Sequence, residues 1–489
     1  MNQNDSFKNL TSIILTYHPQ ANISLLKNAY AFADMAYVNN KRIDGSPLMQ
    51  HALETAHILA DIQVDEHTIA AGLLHDVIHE TDIVIDDLSD EFDTETIKLI
   101  AGISKLKTYT TKQSELAYAQ QLRNLFLATT EDIRVVLVRL AEKIHNLRTI
   151  NSLPEEKQRV VAQKAIDIYA PLADLLGVQK FKRELEDRAF EILKPEESQL
   201  IQEYYNRNFG SQHGEMDLIT SELANTLLNR SIPHSLYGRM KARYSTYRKF
   251  LADNPHALSL EQYLETLHDK IAFTVIAQSP EDCYRCLSTL RREFPSAKNI
   301  VKDYIANPKP NGYRSIHTYI AVQNDIPCEV QIKTRDMHEF NEHGPAAHAF
   351  YKLIGRKRGS LLSTPENKIM QIKELLNWKD SILNENQKAT KLTTFHSQIY
   401  VFTPKADVIE LPNDATPIDF AYHIHTKIGD GMRGAYVNGK FVGIDHTLKN
   451  GDVCEILSHK GRRKPSADWL RIAKTASARS QIRKSLLSK

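Results

Sequence analysis

His75 and Asp76 stand side by side in the stretch TIAAGLLHDVI, whose apolar residues recur with a helical period. Ile69, Gly72, Leu73 and Asp76 share one stripe of that helix, so Asp76 is expected to face the core. A carboxylate there must be paired or metal-bound. His51 lies upstream at the start of another helix, and Glu142 lies far downstream on an inward stripe with Val135, Val138 and Asn146. Two imidazoles and two carboxylates suit a divalent transition metal such as Mn²⁺, with open positions for water and phosphate oxygens. The alternative is a set of buried polar groups satisfying one another. One turn beyond the pair, His79 and Glu80 are placed to reach the rim of such a metal and to move protons at a phosphate leaving group. Their bland alternative is a solvated helix end.

A second constellation lies further along. Gly238-Arg239-Met240-Lys241 leads into a helix carrying Ser245, Arg248 and Lys249, and spacings of four bring Lys241, Ser245 and Lys249 onto one face, a grip for a triphosphate. Asp269 opens the strand Ile271–Ala277, and Glu329 and Gln331 alternate on one face of EVQIKT. One carboxylate from each of two strands makes a Mg²⁺ clamp. Between them runs VKDYIANPKPNGYRSIHT. Lys302 and Lys309 are flexible point charges for phosphate, Tyr313 follows a Pro-Asn-Gly turn and offers a face to a base, and His317 comes four residues later.

These groups need elements to hold them. Residues up to about 200 read as almost all helix, and the text then becomes mixed α and β as far as about Lys352. Residues 355–394 are polar, a connector. From 395 to 459 the order is ββαββ: IYVFTP and DVIELP pair as a hairpin, Thr416-Pro417 opens a helix, and Asn438-Gly439 turns a second hairpin. That order suggests a ubiquitin-like β-grasp. Residues 460–489 hold ten Lys or Arg against one Asp, a solvated or helical tail with an RNA or ribosome contact as its functional alternative.

Bulk properties set limits. A chain of 489 residues exceeds one hydrophobic core, so several domains are expected. Net charge is only +2, which excludes whole-molecule electrostatic binding of nucleic acid. Four cysteines do not make a disulfide framework, and the Cys283-x-x-Cys286 pair sits in an amphipathic helix without further ligands nearby. No apolar signal core or run of about 18 apolar residues occurs, so no membrane partner and a cytoplasmic setting are expected.

The residues above lie in text that resembles the RelA/SpoT homologue family, the (p)ppGpp synthetase/hydrolases. HALETA, LLHDVI and RVVLVRLAEKIHNLRT resemble its HD-type hydrolase domain. GRMKARYSTYRK, KDYIANPKPNGYRSIHT and EVQIKTRDMHEF resemble its synthetase domain, and YVFTPKADVIELPNDATPIDFAYHIHTKIGD its TGS domain. The resemblance implies a multidomain fold: an all-α HD-type domain at 1–200, an α+β mixed-sheet, nucleotidyltransferase-like synthetase at 201–354, and a β-grasp TGS domain at 395–459. It implies that ATP and GTP or GDP are substrates of synthesis, that (p)ppGpp is the substrate of hydrolysis, and that Mn²⁺ serves the hydrolase and Mg²⁺ the synthetase.

Roles follow by the same resemblance. His51, His75 and Asp76 fall on metal-ligand positions, with Glu142 where the family has Asp. Arg42, Asn146 and Thr149 match the nucleotide side of the hydrolase pocket. Arg239 would stack on adenine, while Lys241, Ser245 and Lys249 hold ATP phosphates. Asp269 and Glu329 would bind Mg²⁺, Glu329 would take the proton of the ribose 3′-hydroxyl, and Tyr313 would stack on guanine. Lys302, Lys309, His317 and Gln331 would line that pocket. His425, in AYHIHT, matches a histidine that can face the tRNA 3′ end.

The chain departs from the family at several positions. His79-Glu80 replaces Glu-Asp in the hydrolase motif, and Glu142 is one methylene longer than Asp. Thr274 replaces an Arg that closes the adenine sandwich, a loss of about 0.5–2 kcal/mol of cation–π contact. Arg314 replaces Gln, and Lys333 replaces Arg. Three readings compete: a bifunctional enzyme, a one-way enzyme with one domain degenerate, and a non-catalytic regulator responding to alarmone or tRNA.

Overall fold

In the first part of the chain, apolar stripes and caps dictate where helices begin. Asn22, Asp65 and Asp132 each accept a backbone N–H in the first turn of the helix that follows, satisfying donors that the helix itself leaves open. The protein is described here from a computed structural model, covering residues 3–108, 132–210, 214–253, 258–267, 270–295, 298–309, 312–322, 326–343, 398–404, 408–449, 451–458 and 465–487. Asp269 and the connector 355–394 lie outside the described residues. Two compact units result, one formed by residues 1–107 and 132–358 and the other ending at Lys489.

The first unit opens with helices α1 (Gln3–Tyr17), α2 (Ile23–Ala36), α3 (Leu48–Ala60), α4 (Glu66–Leu74), α5 (Val77–Glu80), α6 (Thr94–Thr108) and α7 (Ile133–Arg148). After them come α8 (Glu155–Lys164), a π-helical turn at Ala165–Tyr169, α9 (Ala170–Leu175), α10 (Gln179–Leu193) and α11 (Pro195–Tyr205). Helices α3, α4 and α7 pack together around Ala52, Ala56, Ile69, Leu73, Val138 and Leu140. Gly72 is where α4 touches α3: a Cβ there would stand 2.6 Å from Leu59 Cδ1.

Expectation and structure differ at His75-Asp76. The pair does not sit inside a helix. Helix α4 ends at Leu74, His75 is its C-cap, and Asp76 is the N-cap of α5. The break frees the Asp76 backbone from a continuous helix and lets both side chains turn to the same side.

A second layer follows without leaving the unit. Helices α12 (Gly214–Leu228), α13 (Arg243–Asp253), α14 (Leu260–Thr266) and α15 (Pro280–Glu293) accompany strands β1 (His234–Met240), β2 (Ile271–Ala277), β3 (Lys298–Asp303), β4 (Ile316–Val322) and β5 (Ile326–Thr334). The strand order is β1-β2-β5-β4-β3, antiparallel except for the parallel β2–β5 pair. This is the mixed sheet expected from the sequence. Helices α12 and α15 cover one face, burying Leu223, Leu227, Phe273, Val275, Leu290, Val330 and Ile332. Cys283 and Cys286 are packed in that core as free thiols. Helix α13 begins at Arg243, so Lys241 precedes the helix rather than lying on its face with Ser245 and Lys249.

The second unit carries the hairpin β6 (Gln398–Phe402) and β7 (Val408–Pro412), helices α16 (Pro417–Ile424) and α17 (Thr426–Asp430), strands β8 (Met432–Val437), β9 (Lys440–Val442) and β10 (Cys454–Ser458), and helices α18 (Trp469–Ile472) and α19 (Ala476–Leu487). Phe402 bridges Val453 in parallel, joining the hairpin to β10. Asn438 and Gly439 both take positive φ, 51° and 77°, as a tight hairpin turn needs. The basic tail is not wholly solvated. Ala478 and Ile482 join the core of the β-grasp because α19 has an apolar stripe between its cations, and Ala473 just before it joins them. Asp419, 1% exposed, accepts hydrogen bonds from Thr416 N and Oγ1, Lys474 N, and Thr475 N and Oγ1 at 2.8–3.1 Å.

Candidate active sites

The break between α4 and α5 brings His75 and Asp76 against His51 of α3. His51 Nε2 lies 3.1 Å from His75 Nε2 and 3.7 Å from Asp76 Oδ2, and His75 Nε2 lies 3.3 Å from Asp76 Oδ1. All three side chains are buried, and their ligand atoms lie within 4.8 Å of one another. Ligands about 2.0–2.2 Å from one cation stand roughly 3 Å from each other, so the donor set fits a divalent metal. His75 Nδ1 donates to the Gly72 carbonyl at 2.7 Å, which leaves Nε2 as its lone-pair nitrogen. Burial, together with His75, Arg42 and His145, holds His51 well below the ordinary histidine range, so it is uncharged.

Glu142 is buried next to this cluster but outside it. Its carboxylate is engaged by Arg139, by Lys143 Nζ at 3.0 Å and by Asn146 Nδ2 at 3.3 Å. His79 is exposed and turned to the Ser104 carbonyl at 3.1 Å, and Glu80 is exposed at the end of α5.

Arg42 sits in a turn closed by Gly45 at φ 80° and reaches the histidines of α3 and α7. It donates to His51 Nδ1 and His145 Nδ1, both at 2.9 Å, and to Asn146 Oδ1 at 2.7 Å. Thr149 caps α7 and bonds the His145 carbonyl at 3.1 Å. Arg42 and Asn146 thus meet on the α7 side of the cluster, with Thr149 at the end of the same helix. Sequence reasoning did not single out His145, Arg139 or Lys143. For two of them the signal was the helical spacing from Glu142, Arg139 being three residues before it and His145 three after, whereas Lys143, its neighbour in sequence, carried none.

The second site is built by strand register. Arg239 pairs with Ala272, Ala272 with Glu329, Thr274 with Gln331, His317 with Gln331, and Lys302 with His317. Side chains of paired residues share a face. Arg239, Glu329, Gln331, His317 and Lys302 therefore lie on the sheet face opposite α12 and α15. His317 Nδ1 donates to Glu329 Oε1 at 2.8 Å, and Tyr313 OH donates to His317 Nε2 at 2.8 Å. Burial works to raise the Glu329 carboxyl, but hydrogen bonds from His317 and Gln331 and the charge of Lys241 hold it below its usual value.

Tyr313 is shifted upward, first by burial. Lys309 Nζ stands 5.1 Å from the centre of its ring and 5.0 Å from that of Tyr304. The Tyr313 turn is pinned by Asn341, whose side chain bonds Arg314 N at 3.1 Å and Arg314 O at 2.8 Å. Burial pushes the Lys333 ammonium down to about 8, and it lies 6.0 Å from the Tyr313 ring centre. Thr274 is buried on β2 opposite Tyr237. Arg239 lines a cavity of 460 Å³ together with Arg183, Asp187, Arg188 and Arg243, so helix α10 forms one wall of it. Ser245 and Lys249 are half-buried on α13, which packs against α10. In the second unit, His425 is exposed and caps α17 by accepting from Lys427 N at 3.0 Å.

Comparison with known proteins agrees with this layout. An HD domain model matches residues 29–179, the region found in RelA / SpoT proteins matches 238–355, and the TGS domain model matches 399–458. A probable guanosine-3′,5′-bis(diphosphate) 3′-pyrophosphohydrolase of Synechocystis is 38% identical over 462 residues, covering 94% of this chain and 60% of that protein. A GTP pyrophosphokinase of Myxococcus xanthus is 37% identical, covering 96% and 61%. The bifunctional (p)ppGpp synthase/hydrolase SpoT of Escherichia coli K12 is 36% identical, covering 98% and 67%. The chain thus spans about three fifths of the length of the first two. With three family models in order and that identity across nearly the whole chain, it belongs to the RelA/SpoT homologue family.

Proposed function

We propose that this chain both makes and degrades (p)ppGpp, synthesis residing in 201–354 and hydrolysis in 1–200. The observation that carries the reading is the strand register that sets Arg239, Glu329, Gln331, His317 and Lys302 on one open sheet face. In synthesis the β-phosphorus of ATP would bond to the 3′-oxygen of GTP or GDP, and the bond to the α-phosphate oxygen would break, releasing AMP. Glu329 would take the hydroxyl proton, held in place by His317. Arg239 would lie against adenine, Lys241, Ser245 and Lys249 against the ATP phosphates, and Lys302 and Lys309 against the acceptor phosphates. Guanine would stack on Tyr313 where Lys309 now covers the ring. Mg²⁺ held by Glu329 and Asp269 would neutralise charge on the transferring group.

For hydrolysis, His51, His75 and Asp76 would hold Mn²⁺, which supplies Lewis-acid polarisation of a phosphate oxygen, with Glu142 as the adjoining negative charge. Arg42, Asn146 and Thr149 would seat the nucleotide, and Glu80 and His79 would serve the leaving group once His79 leaves Ser104. The second unit, 395–459 with the tail 460–489, is assigned an RNA contact through exposed His425 and the cations of α19. Four free, buried cysteines suit a cytoplasmic setting.

The test is direct. Purified chain with ATP plus GTP, and separately with ppGpp plus Mn²⁺, is read by nucleotide chromatography. Product in both reactions supports the proposal, product in one leaves a one-way enzyme, and product in neither overturns it.

A further inference from the structure

We propose that His145 is a positioning residue that decides which nitrogen of His51 carries the proton, and that Arg42 and a divalent cation compete through that choice. This rests on the metal reading above. Three nitrogens crowd together beside α7. His51 Nδ1 is 2.7 Å from His145 Nδ1 and 2.9 Å from an Arg42 guanidinium nitrogen, and the same Arg42 nitrogen is 2.9 Å from His145 Nδ1.

A guanidinium only donates. With Arg42 donating to His51 Nδ1, the single proton of the ring sits on Nε2, aimed at His75 Nε2 at 3.1 Å. His75 accepts there because its own Nδ1–H is committed to the Gly72 carbonyl. The chain Arg42–His51–His75–Gly72 is complete, and His51 offers no lone pair to a cation. With the proton on Nδ1 instead, His145 Nδ1 is an acceptor already in place, and the Nε2 lone pair faces His75 and Asp76. Arg42 then gives up His51 and keeps Asn146 Oδ1 at 2.7 Å. The ring holds one proton in both states, and only its position changes. A ligating histidine needs such a partner on its far nitrogen, and losing one typically costs about 10–100-fold in metal affinity.

The two residues touch the same nitrogen yet act in opposite directions. Mn²⁺ alone, titrated into the full chain and followed by calorimetry, should bind about 10–100-fold more weakly to His145→Ala, with recovery in His145→Asn, whose side-chain oxygen stands near the lost Nδ1. Arg42→Gln should bind Mn²⁺ more tightly than the parent. Removing any cation near a metal tightens binding, so a second readout is needed. ¹⁵N shifts of the histidine rings in metal-free protein should show His51 protonated at Nε2 in the parent and at Nδ1 in Arg42→Gln. His75→Ala separates the two layers of the argument. If it binds Mn²⁺ as the parent does, the metal reading itself fails. If it loses Mn²⁺ while Arg42→Gln and His145→Ala shift affinity alike, or His51 keeps one tautomer throughout, only the present proposal is overturned.

Discussion

Glu329 shows how a partly buried carboxylate is kept ionised. It is desolvated, yet His317 donates to one oxygen at 2.8 Å and Gln331 to the other at 3.3 Å. Its folded value is depressed, so the stability it contributes is present above the unfolded value and is lost as pH falls through the folded one. The same sign governs activity: the acid limb of the synthesis pH profile should lie below the usual glutamate range. In His317→Ala the first of the contacts lowering Glu329 is gone, and that limb should move to higher pH. An unmoved limb would remove His317 from this role. Glu329→Gln keeps the shape but cannot accept a proton, so synthesis should fall by about 10²–10⁴-fold, measured as AMP release from ATP with GTP present. Lys309 over Tyr313 carries a consequence as well. On the proposed reading, a guanine base would take its place only if the ammonium swung away, which its flexible stem allows.

At the scale of elements, two junctions matter more than any single helix. The first is the stop between α4 and α5, which turns His75 and Asp76 to one side. It depends on α4 lying tight against α3 at Gly72. Gly72→Ala would place a methyl 2.6 Å from Leu59 Cδ1 in a buried contact, an overpacking expected to cost about 1–3 kcal/mol, to be read from urea unfolding. The second is Asp419, which caps α16 and also holds the backbone of Lys474 and Thr475 just before α19. Asp419→Ala removes a cap and leaves buried donors without partners, a loss of about 2–4 kcal/mol. Limited proteolysis should then cut faster between 465 and 487, and an unchanged rate would show that the apolar stripe alone holds the tail.

At the scale of the whole molecule, the His51, His75 and Asp76 cluster sits among α3, α4 and α7, whereas Glu329 sits on the five-stranded sheet. The proposed sites share no ligand. His75→Ala should abolish Mn²⁺-dependent breakdown of ppGpp and spare synthesis, and Glu329→Gln should do the reverse, both followed by nucleotide chromatography. Loss of both activities in either variant would mean that the sites are not separable. The two layers are nevertheless fastened to each other. Arg183 of α10 pairs with Glu342 beyond β5, Arg243 pairs with Glu191, and Asp187 accepts from Tyr244 N at 2.9 Å. Helix α10 thereby belongs to the helical layer and to the wall of the Arg239 cavity at once.

The sequence by itself determined the helix periods, the cap at Thr416, the Asn438-Gly439 turn, and the alternation that put Glu329 and Gln331 on one strand face. Each of those depends on residues close together in the chain, where period and propensity act directly. Motif resemblance added which side chains to watch. Only the tertiary structure decided that Glu142 turns to Arg139 and Lys143, that His145 reaches His51 across 94 positions, and that the basic tail docks on the β-grasp. Those outcomes depend on which distant groups meet inside the core. A buried charge or ring nitrogen takes whichever partner the packing brings within about 3 Å, and no local pattern carries that distance.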